Sequence, residues 1–259
     1  MNSELRRPGA TFTTAATSPT PAAVPVPAPA PLWQSVPQRA LRQNVLRSLL
    51  TAIVKGQLAE GQWLNAQKLA EEFGVSATPV REALVELTTI GVVEMQHNRG
   101  TIIRRFGPTE LLEVYQLRAV LEAEATRCAC GQIPIADLQR FRHEMMLLLK
   151  KRPSDWSERA WELDREFHAL IANHCGSRRL AEEISRYRTL MQSIREAVGN
   201  QYHAQDNALK EHLAVIRPLL KKQAERAAQA MRQHILSTAE SAGKALFPEP
   251  DGKSKAALK

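Results

Sequence analysis

The feature that most constrains the fold of this chain is a series of six amphipathic segments that follows Pro108. In each segment apolar residues recur at spacings of three and four, which is typical of helices that bury one face. The predicted helices span Leu111–Cys130, Pro134–Lys151, Asp155–His174, Arg178–Val198, Tyr202–Leu220 and Ala224–Ala242. Because only short segments containing glycine or proline separate them, we predict an antiparallel all-α helical bundle.

The composition argues against an all-β fold. Aromatic residues make up 5% of the chain, and only 12 of its 259 residues are glycine. Sandwiches and barrels depend on aromatic strands and glycine-rich turns. A mainly α protein is therefore expected.

The residues before Pro108 predict a second, smaller unit. Its predicted elements are helices over 38–55, 66–73 and 79–89 and strands over 92–95 and 101–103. Thr78 is the expected N-cap of the third helix, with Pro79 at its first position. Three helices followed by a hairpin are typical of an N-terminal winged helix-turn-helix.

Proline content distinguishes the N-terminal region of the chain from these two units. Residues 1–37 alternate proline with small side chains and predict a disordered Pro/Ala-rich tail. The predicted regions are this tail, the winged helix-turn-helix at 38–107, the helical bundle at 108–243, and a flexible tail at 244–259.

The net charge of +8 indicates an anionic partner. Residues 38–107 hold nine Lys and Arg against six Asp and Glu, whereas residues 108–242 hold twenty against eighteen. Nucleic-acid contacts are therefore expected in the first segment. No apolar run approaches the roughly 18 residues that a membrane span needs, so we expect a cytoplasmic protein without membrane contact.

The third predicted helix carries the candidate DNA contacts. Arg81 faces outward, and the helix N-terminus offers free N–H groups to a phosphate, with Ser76 and Thr78 beside it. Arg99, at the hairpin tip beside Gly100, can reach a minor groove. These residue types alone leave an alternative open, in which Arg81 is only a solvent-exposed side chain on the surface of a small helical domain.

The sequence of this segment resembles the GntR family of bacterial transcription regulators. The resemblance lies in residues 74–84, GVSATPVREAL, followed by Leu87 and Arg99-Gly100. The resemblance covers about residues 40–105 and implies a winged helix-turn-helix with Thr78 and Arg81 on operator DNA. It also implies a wing from His97 to Gly100.

Two positions depart from the family pattern. Ala77 replaces a usual arginine and Ala66 replaces a usual glutamate, so an atypical operator is expected. Gln67 lies where the family often contacts DNA, and its amide can pair with adenine.

Four residues of the predicted bundle form a candidate metal site. Asp164 and His168 are four residues apart, about 40° on a helical wheel, and can bind one ion together. His212 and His234 lie on the two helices that follow. Three imidazoles and one carboxylate suit Zn, or Ni or Mn. From spacing alone, ordinary core or surface polar residues remain the alternative.

The order Asp164-x-x-x-His168, Glu211-His212 and then His234 is similar to the FCD effector domain of the FadR subfamily. That resemblance covers about residues 108–242. It implies that Asp164, His168, His212 and His234 are the metal ligands. It also implies that Arg118 faces the effector cavity, where a guanidinium would bind a carboxylate. The alternative for Arg118 is a surface salt bridge with Glu122 at i+4.

Together these patterns predict a repressor that is not an enzyme. A homodimer would bind a double-stranded, pseudo-palindromic DNA operator, and a small organic acid bound at the metal would control its affinity. One alternative keeps the DNA-binding domain but makes the metal purely structural. The other alternative is a metal-dependent hydrolase. Such an enzyme would need a general base, for which Glu211 and Glu166 are only loose candidates.

Overall fold

The computed structural model describes residues 38–97, 99–198 and 202–248, without the side chains of Tyr202 and His203. The predicted tail at 1–37 and residues 249–259 of the predicted C-terminal tail lie outside these ranges. The elements, in chain order, are α1 (Gln38–Val54), β1 (Trp63–Leu64), α2 (Ala66–Phe73), α3 (Ala77–Ile90), β2 (Val93–Gln96), β3 (Gly100–Ile103), α4 (Pro108–Ala129), α5 (Ile135–Lys151), α6 (Trp156–His174), α7 (Arg178–Val198), α8 (Tyr202–Leu220) and α9 (Ala224–Leu246). The expected mainly α architecture is confirmed.

The first three helices and the sheet form the winged helix-turn-helix, called the head below. Its antiparallel sheet has the order β1-β3-β2, with Val93 opposite Ile103 and Trp63 opposite Ile102. The hairpin was predicted, but the two-residue strand β1 was not, because so short a segment shows no alternation of apolar and polar residues. Val80 and Leu87 of α3 are buried in the head core.

The predicted start of α3 was wrong by two residues. The helix begins at Ala77, with Ser76 as its N-cap, rather than after Thr78. Pro79 is therefore the third helical residue and not the first. A proline fits anywhere in the first turn, because the N–H groups of that turn have no partner within the helix.

Helices α4 to α9 form the bundle, in which α4 packs along α9 and α9 packs along α8. Pro218 does not end α8 at once, since the helix continues to Leu220. Helix α9 extends past the predicted end at Ala242 to Leu246. No helix among the described residues is long and apolar enough to cross a membrane.

The head and the bundle contact each other through α1 and α7. Thr51 Oγ1 of α1 donates a hydrogen bond to Glu196 Oε2 of α7 at 3.4 Å. Helix α7 therefore touches the head on one side and packs into the bundle on the other.

Candidate functional site

The four predicted metal ligands converge inside the bundle. Asp164 and His168 lie on α6, His212 on α8 and His234 on α9. One ligand atom from each lies within 4.8 Å of the other three. His212 Nε2 is 3.2 Å from His168 Nε2, 3.0 Å from His234 Nε2 and 3.4 Å from Asp164 Oδ1. Three helices thus deliver three imidazoles and a carboxylate to one point.

Two further carboxylates hold the outer nitrogens of two of these rings. Glu122 of α4 bonds His168 Nδ1, and Glu211 Oε2 of α8 lies 2.8 Å from His234 Nδ1. A carboxylate can accept a hydrogen bond from Nδ1, and this contact orients the Nε2 atom of each ring toward the other ligand atoms. Glu211 is thus not positioned as a general base, and Glu166 is exposed on α6.

The third ring, His212, is fully buried, and its Nδ1 has no hydrogen-bond partner among the described residues. Burial, followed by the charges of His234 and His168, holds the pKa of His212 well below its usual value, so the ring is neutral. Its Nε2 faces the Nε2 atoms of His168 and His234.

Imidazole nitrogens and a carboxylate oxygen this close together need a proton or a metal cation between them. Zinc–nitrogen bonds of about 2.0 Å place the ligand atoms of a tetrahedron about 3.3 Å apart. The three distances around His212 Nε2, 3.0 to 3.4 Å, are close to that value, and His168 Nε2 lies 3.7 Å from Asp164 Oδ1. The residues therefore fit a divalent cation.

Glu122 and its partners form a buried charge network next to the cluster. Burial alone would raise the pKa of Glu122, but His168 and Arg118 outweigh it and lower the pKa to about 2. Burial lowers the pKa of His168, and the attraction of Glu122 reverses this and raises it. Glu122 is therefore ionised and can hold the Nδ1 proton of His168.

Arg118 lies in an ion pair and in the wall of a cavity. Its Nη2 lies 2.9 Å from Glu122 Oε1, with the side chains only 12% and 5% exposed, so the ion pair exists but is buried rather than on the surface. Arg118 also lines a cavity of about 140 Å³.

This cavity adjoins the metal cluster. His212, His234 and Asp164 lie in its wall, together with Arg195 of α7. Sequence analysis missed Arg195, because nothing in its spacing on α7 links it to residues of α6 and α8.

The predicted DNA contacts of α3 lie on its outer surface. Ser76, Thr78 and Arg81 are exposed, and Ser76 makes no side-chain cap hydrogen bond. Gln67 is exposed on α2. These side chains are therefore available to a ligand at the N-terminus of α3.

The wing faces the same side of the head. Arg81, His97 and Arg99 line one groove of about 810 Å³ between α3 and the hairpin. Gly100 has a φ of +106°, a conformation that favours glycine, and Asn98 lies outside the described residues. Within the described ranges, no carboxylate lies in salt-bridge distance of Arg81 or Arg99.

Two family models match the chain. Residues 41–103 match "Bacterial regulatory proteins, gntR family", and residues 113–237 match "FCD domain". The two matches fall on the head and on the bundle.

Relatives of known sequence align over most of the chain. The HTH-type transcriptional repressor RspR of Escherichia coli is 23% identical over 208 residues, which are 79% of this chain and 90% of that relative. The Nta operon transcriptional regulator of Aminobacter aminovorans is 28% identical over 175 residues, which are 68% of this chain and 81% of that relative.

Solved structures share the fold. McbR/YncC of E. coli has a TM-score of 0.55 at 22% identity, covering 78% of this chain and 96% of that one. Lar, which controls the expression of the Listeria monocytogenes agr system, has a TM-score of 0.56 at 18% identity with the same coverage.

Proposed function

The chain belongs to the GntR family of bacterial regulatory proteins, with an FCD domain behind its DNA-binding domain, and on that premise we propose that it is a cytoplasmic transcriptional repressor of the FadR subfamily. Its operator affinity changes when a small carboxylate effector binds beside a metal ion in the FCD domain. The proposed control by an effector rests on one observation, the convergence of Asp164, His168, His212 and His234 beside a cavity. Repression rests on relatives named as repressors, such as RspR.

We assign residues 38–107 to DNA binding and 108–243 to effector binding and dimerisation. Asp164, His168, His212 and His234 would hold the metal, and zinc, nickel or manganese suits this nitrogen-rich set. When bound, the ion supplies a positive charge and open coordination positions that attract a carboxylate. Glu122 and Glu211 keep two of the rings oriented toward it.

The head would bind operator DNA through α3. Ser76 and Thr78 lie at the helix N-terminus, where free N–H groups and the helix dipole favour a phosphate. Arg81 is exposed without a carboxylate partner among the described residues, so its guanidinium is available to a guanine edge or a phosphate. His97, Arg99 and Gly100 extend this surface along the wing, and Gln67 extends it along α2.

A homodimer would present two heads to a pseudo-palindromic operator. Helix α4 exposes three apolar side chains, since Leu112, Leu117 and Val120 are 46%, 45% and 51% exposed. Such exposure on a helix that otherwise packs into the bundle favours burial against a second copy of the chain.

Helix α7 would couple the two ends of the molecule. Its residues Met191, Ile194 and Arg195 line the cavity, and the neighbouring Glu196 accepts the hydrogen bond from Thr51 of the head. A ligand that shifts α7 therefore changes the position of α1.

The proposal is tested by selecting operator sequences from a random DNA library with the full-length protein. Affinity for the selected duplex is then measured by fluorescence anisotropy with zinc, with chelator, and with zinc plus organic acids. We expect a two-fold symmetric consensus and an affinity that an acid changes only in the presence of metal. Failure to enrich any sequence at low salt would contradict DNA regulation.

A purely structural metal is the second candidate, because the cluster ties α6, α8 and α9 together. A ligand that binds only the folded state raises the melting temperature. If zinc raises it but no acid raises it further or changes DNA affinity, the structural role replaces the effector role.

A further inference from the structure

The cavity beside the metal cluster is small and mostly apolar. Its walls include the aliphatic side chains of Met191, Ile194, Val198, Leu209, Ile235 and Ala242. Its volume is about 140 Å³, close to the roughly 150 Å³ of an apolar cavity that binds benzene. The space therefore suits one ring or a short branched chain.

Three of the uncharged polar side chains of the wall already make hydrogen bonds, and the hydroxyl of Tyr115 is a further polar group there. Thr238 Oγ1 donates to the carbonyl of His234, and Ser241 Oγ donates to that of Ser237. Gln205 Oε1 accepts a hydrogen bond from Ser157. A ligand rich in hydroxyl groups would find few unused partners here, and its desolvation would cost affinity.

Of the two guanidinium groups in the wall, Arg195 is the one without a carboxylate partner. Arg118 is paired with Glu122. Arg195 stacks on the Trp161 ring at 4.3 Å and donates to the Ser157 carbonyl at 3.3 Å, while no carboxylate of the described residues lies within 4.0 Å of it. Burial lowers the pKa of Arg195, against the attraction of Asp164, Glu158 and Glu196. The Arg195 guanidinium therefore keeps N–H donors for an incoming anion.

We infer that the effector is a compact monocarboxylic acid with an apolar body of about four to six carbon atoms, of the benzoate or short branched-chain type, and that Arg195 binds its carboxylate. This inference rests on the proposed function and narrows its effector class. The acid group lies at the end of the cavity formed by Arg195 and the metal cluster. The apolar body packs against the aliphatic wall.

A second cavity, which adjoins His168 and shares Arg118 and Asp164 with the first, suits a different class of acid. It has about the same volume, 140 Å³, and is lined by polar residues that include Arg165, Asn173 and Arg188. Arg165 and Arg188 are exposed, so water screens their charges. A polyhydroxylated or tricarboxylic acid fits that cavity better.

The test uses the full-length, zinc-loaded protein and isothermal titration with sodium benzoate, 3-methylbutanoate, citrate, D-gluconate and the neutral benzamide. We expect benzoate or 3-methylbutanoate to bind at least tenfold more tightly than citrate, gluconate and benzamide. Arg195→Gln should weaken that binding at least tenfold with the zinc content unchanged. Ala208→Leu, which fills the cavity from α8, should do the same, whereas Arg165→Gln serves as the matched control and should change it less than twofold.

Tighter binding of citrate or gluconate, or an Arg195→Gln variant with unchanged benzoate affinity, would overturn the inference. If a polar acid binds and changes operator affinity, the proposed function stands without this effector class. If no acid of either class binds the zinc-loaded protein, the effector half of the proposed function fails as well.

Discussion

The head and the bundle use charged residues in opposite ways. In the head, Arg81 and Arg99 project into a groove, and no carboxylate of the described residues is close enough to pair with them. In the bundle, Arg118 and His168 are both held by the buried Glu122. The first arrangement leaves charge for an external anion, and the second fixes side chains in place before any ligand arrives.

This difference shows what each region must do. A surface that binds DNA gains affinity from charges that replace counterions at phosphates, so unpaired and mobile arginines serve it well. A metal site needs ligand atoms in fixed positions, and partners such as Glu211 against His234 supply that rigidity. Mutations in the two regions should therefore have separable effects.

The largest expected effect is that of His212→Ala. This ring contributes the nitrogen at the centre of the cluster, 3.0 to 3.4 Å from three other ligand atoms. Since loss of a mere supporting residue typically costs 10- to 100-fold in metal affinity, loss of a ligand should cost more than about 100-fold. Competition titration with a zinc chelator measures it.

His143→Ala is the matched control, because His143 is exposed on α5 away from the cluster. It should leave zinc affinity unchanged. DNA binding by metal-free protein should be the same in both variants. Stoichiometric, native-affinity zinc binding by His212→Ala would mean that the ligand assignment is wrong.

The head could be predicted from sequence in more detail than the bundle. Gly74 and Gly91, which end α2 and α3, adopt left-handed conformations typical of a helix C-cap, and the wing hairpin lies where β-branched residues indicated it. These features depend on neighbours in sequence. The error at Thr78 arose because proline does not distinguish between positions of the first helical turn.

In the bundle, the candidate ligand residues could be predicted from sequence, but their surroundings could not. The helical period places Arg118 and Glu122 on one face, yet it cannot say that this face is buried or that Glu122 meets His168 of another helix. Arg195 was missed for the same reason. Contacts between helices depend on how those helices pack, which periodicity within one helix does not determine.

An intermediate effect is expected for Arg81→Ala. Loss of one contact to a base or a phosphate costs about 1–3 kcal/mol, or roughly 5- to 150-fold in operator affinity. A phosphate contact would also reduce the slope of log affinity against log salt by about 1, whereas a base contact would relax specificity at one position. Anisotropy titrations at several salt concentrations distinguish the two.

Arg178→Ala is the control for Arg81→Ala, because the Arg178 side chain is 89% exposed at the start of α7. Its operator affinity and zinc content should both match those of the native protein. Loss of zinc from Arg81→Ala would mean that the two regions do not act separately.

The smallest effect is expected from Thr51→Val, which acts on neither site. The substitution keeps the shape of the side chain but removes the hydroxyl that donates to Glu196 at 3.4 Å. Zinc affinity should stay within about twofold of the native value, and so should operator affinity measured without acid. The factor by which an acid changes operator affinity should fall by about two- to threefold, because one exposed hydrogen bond is lost. Because coupling is reciprocal, bound operator should change acid affinity by the same reduced factor, and titrations in both orders measure it. An unchanged factor in both orders would mean that α7 communicates with the head through its packing on α1 and not through this hydrogen bond.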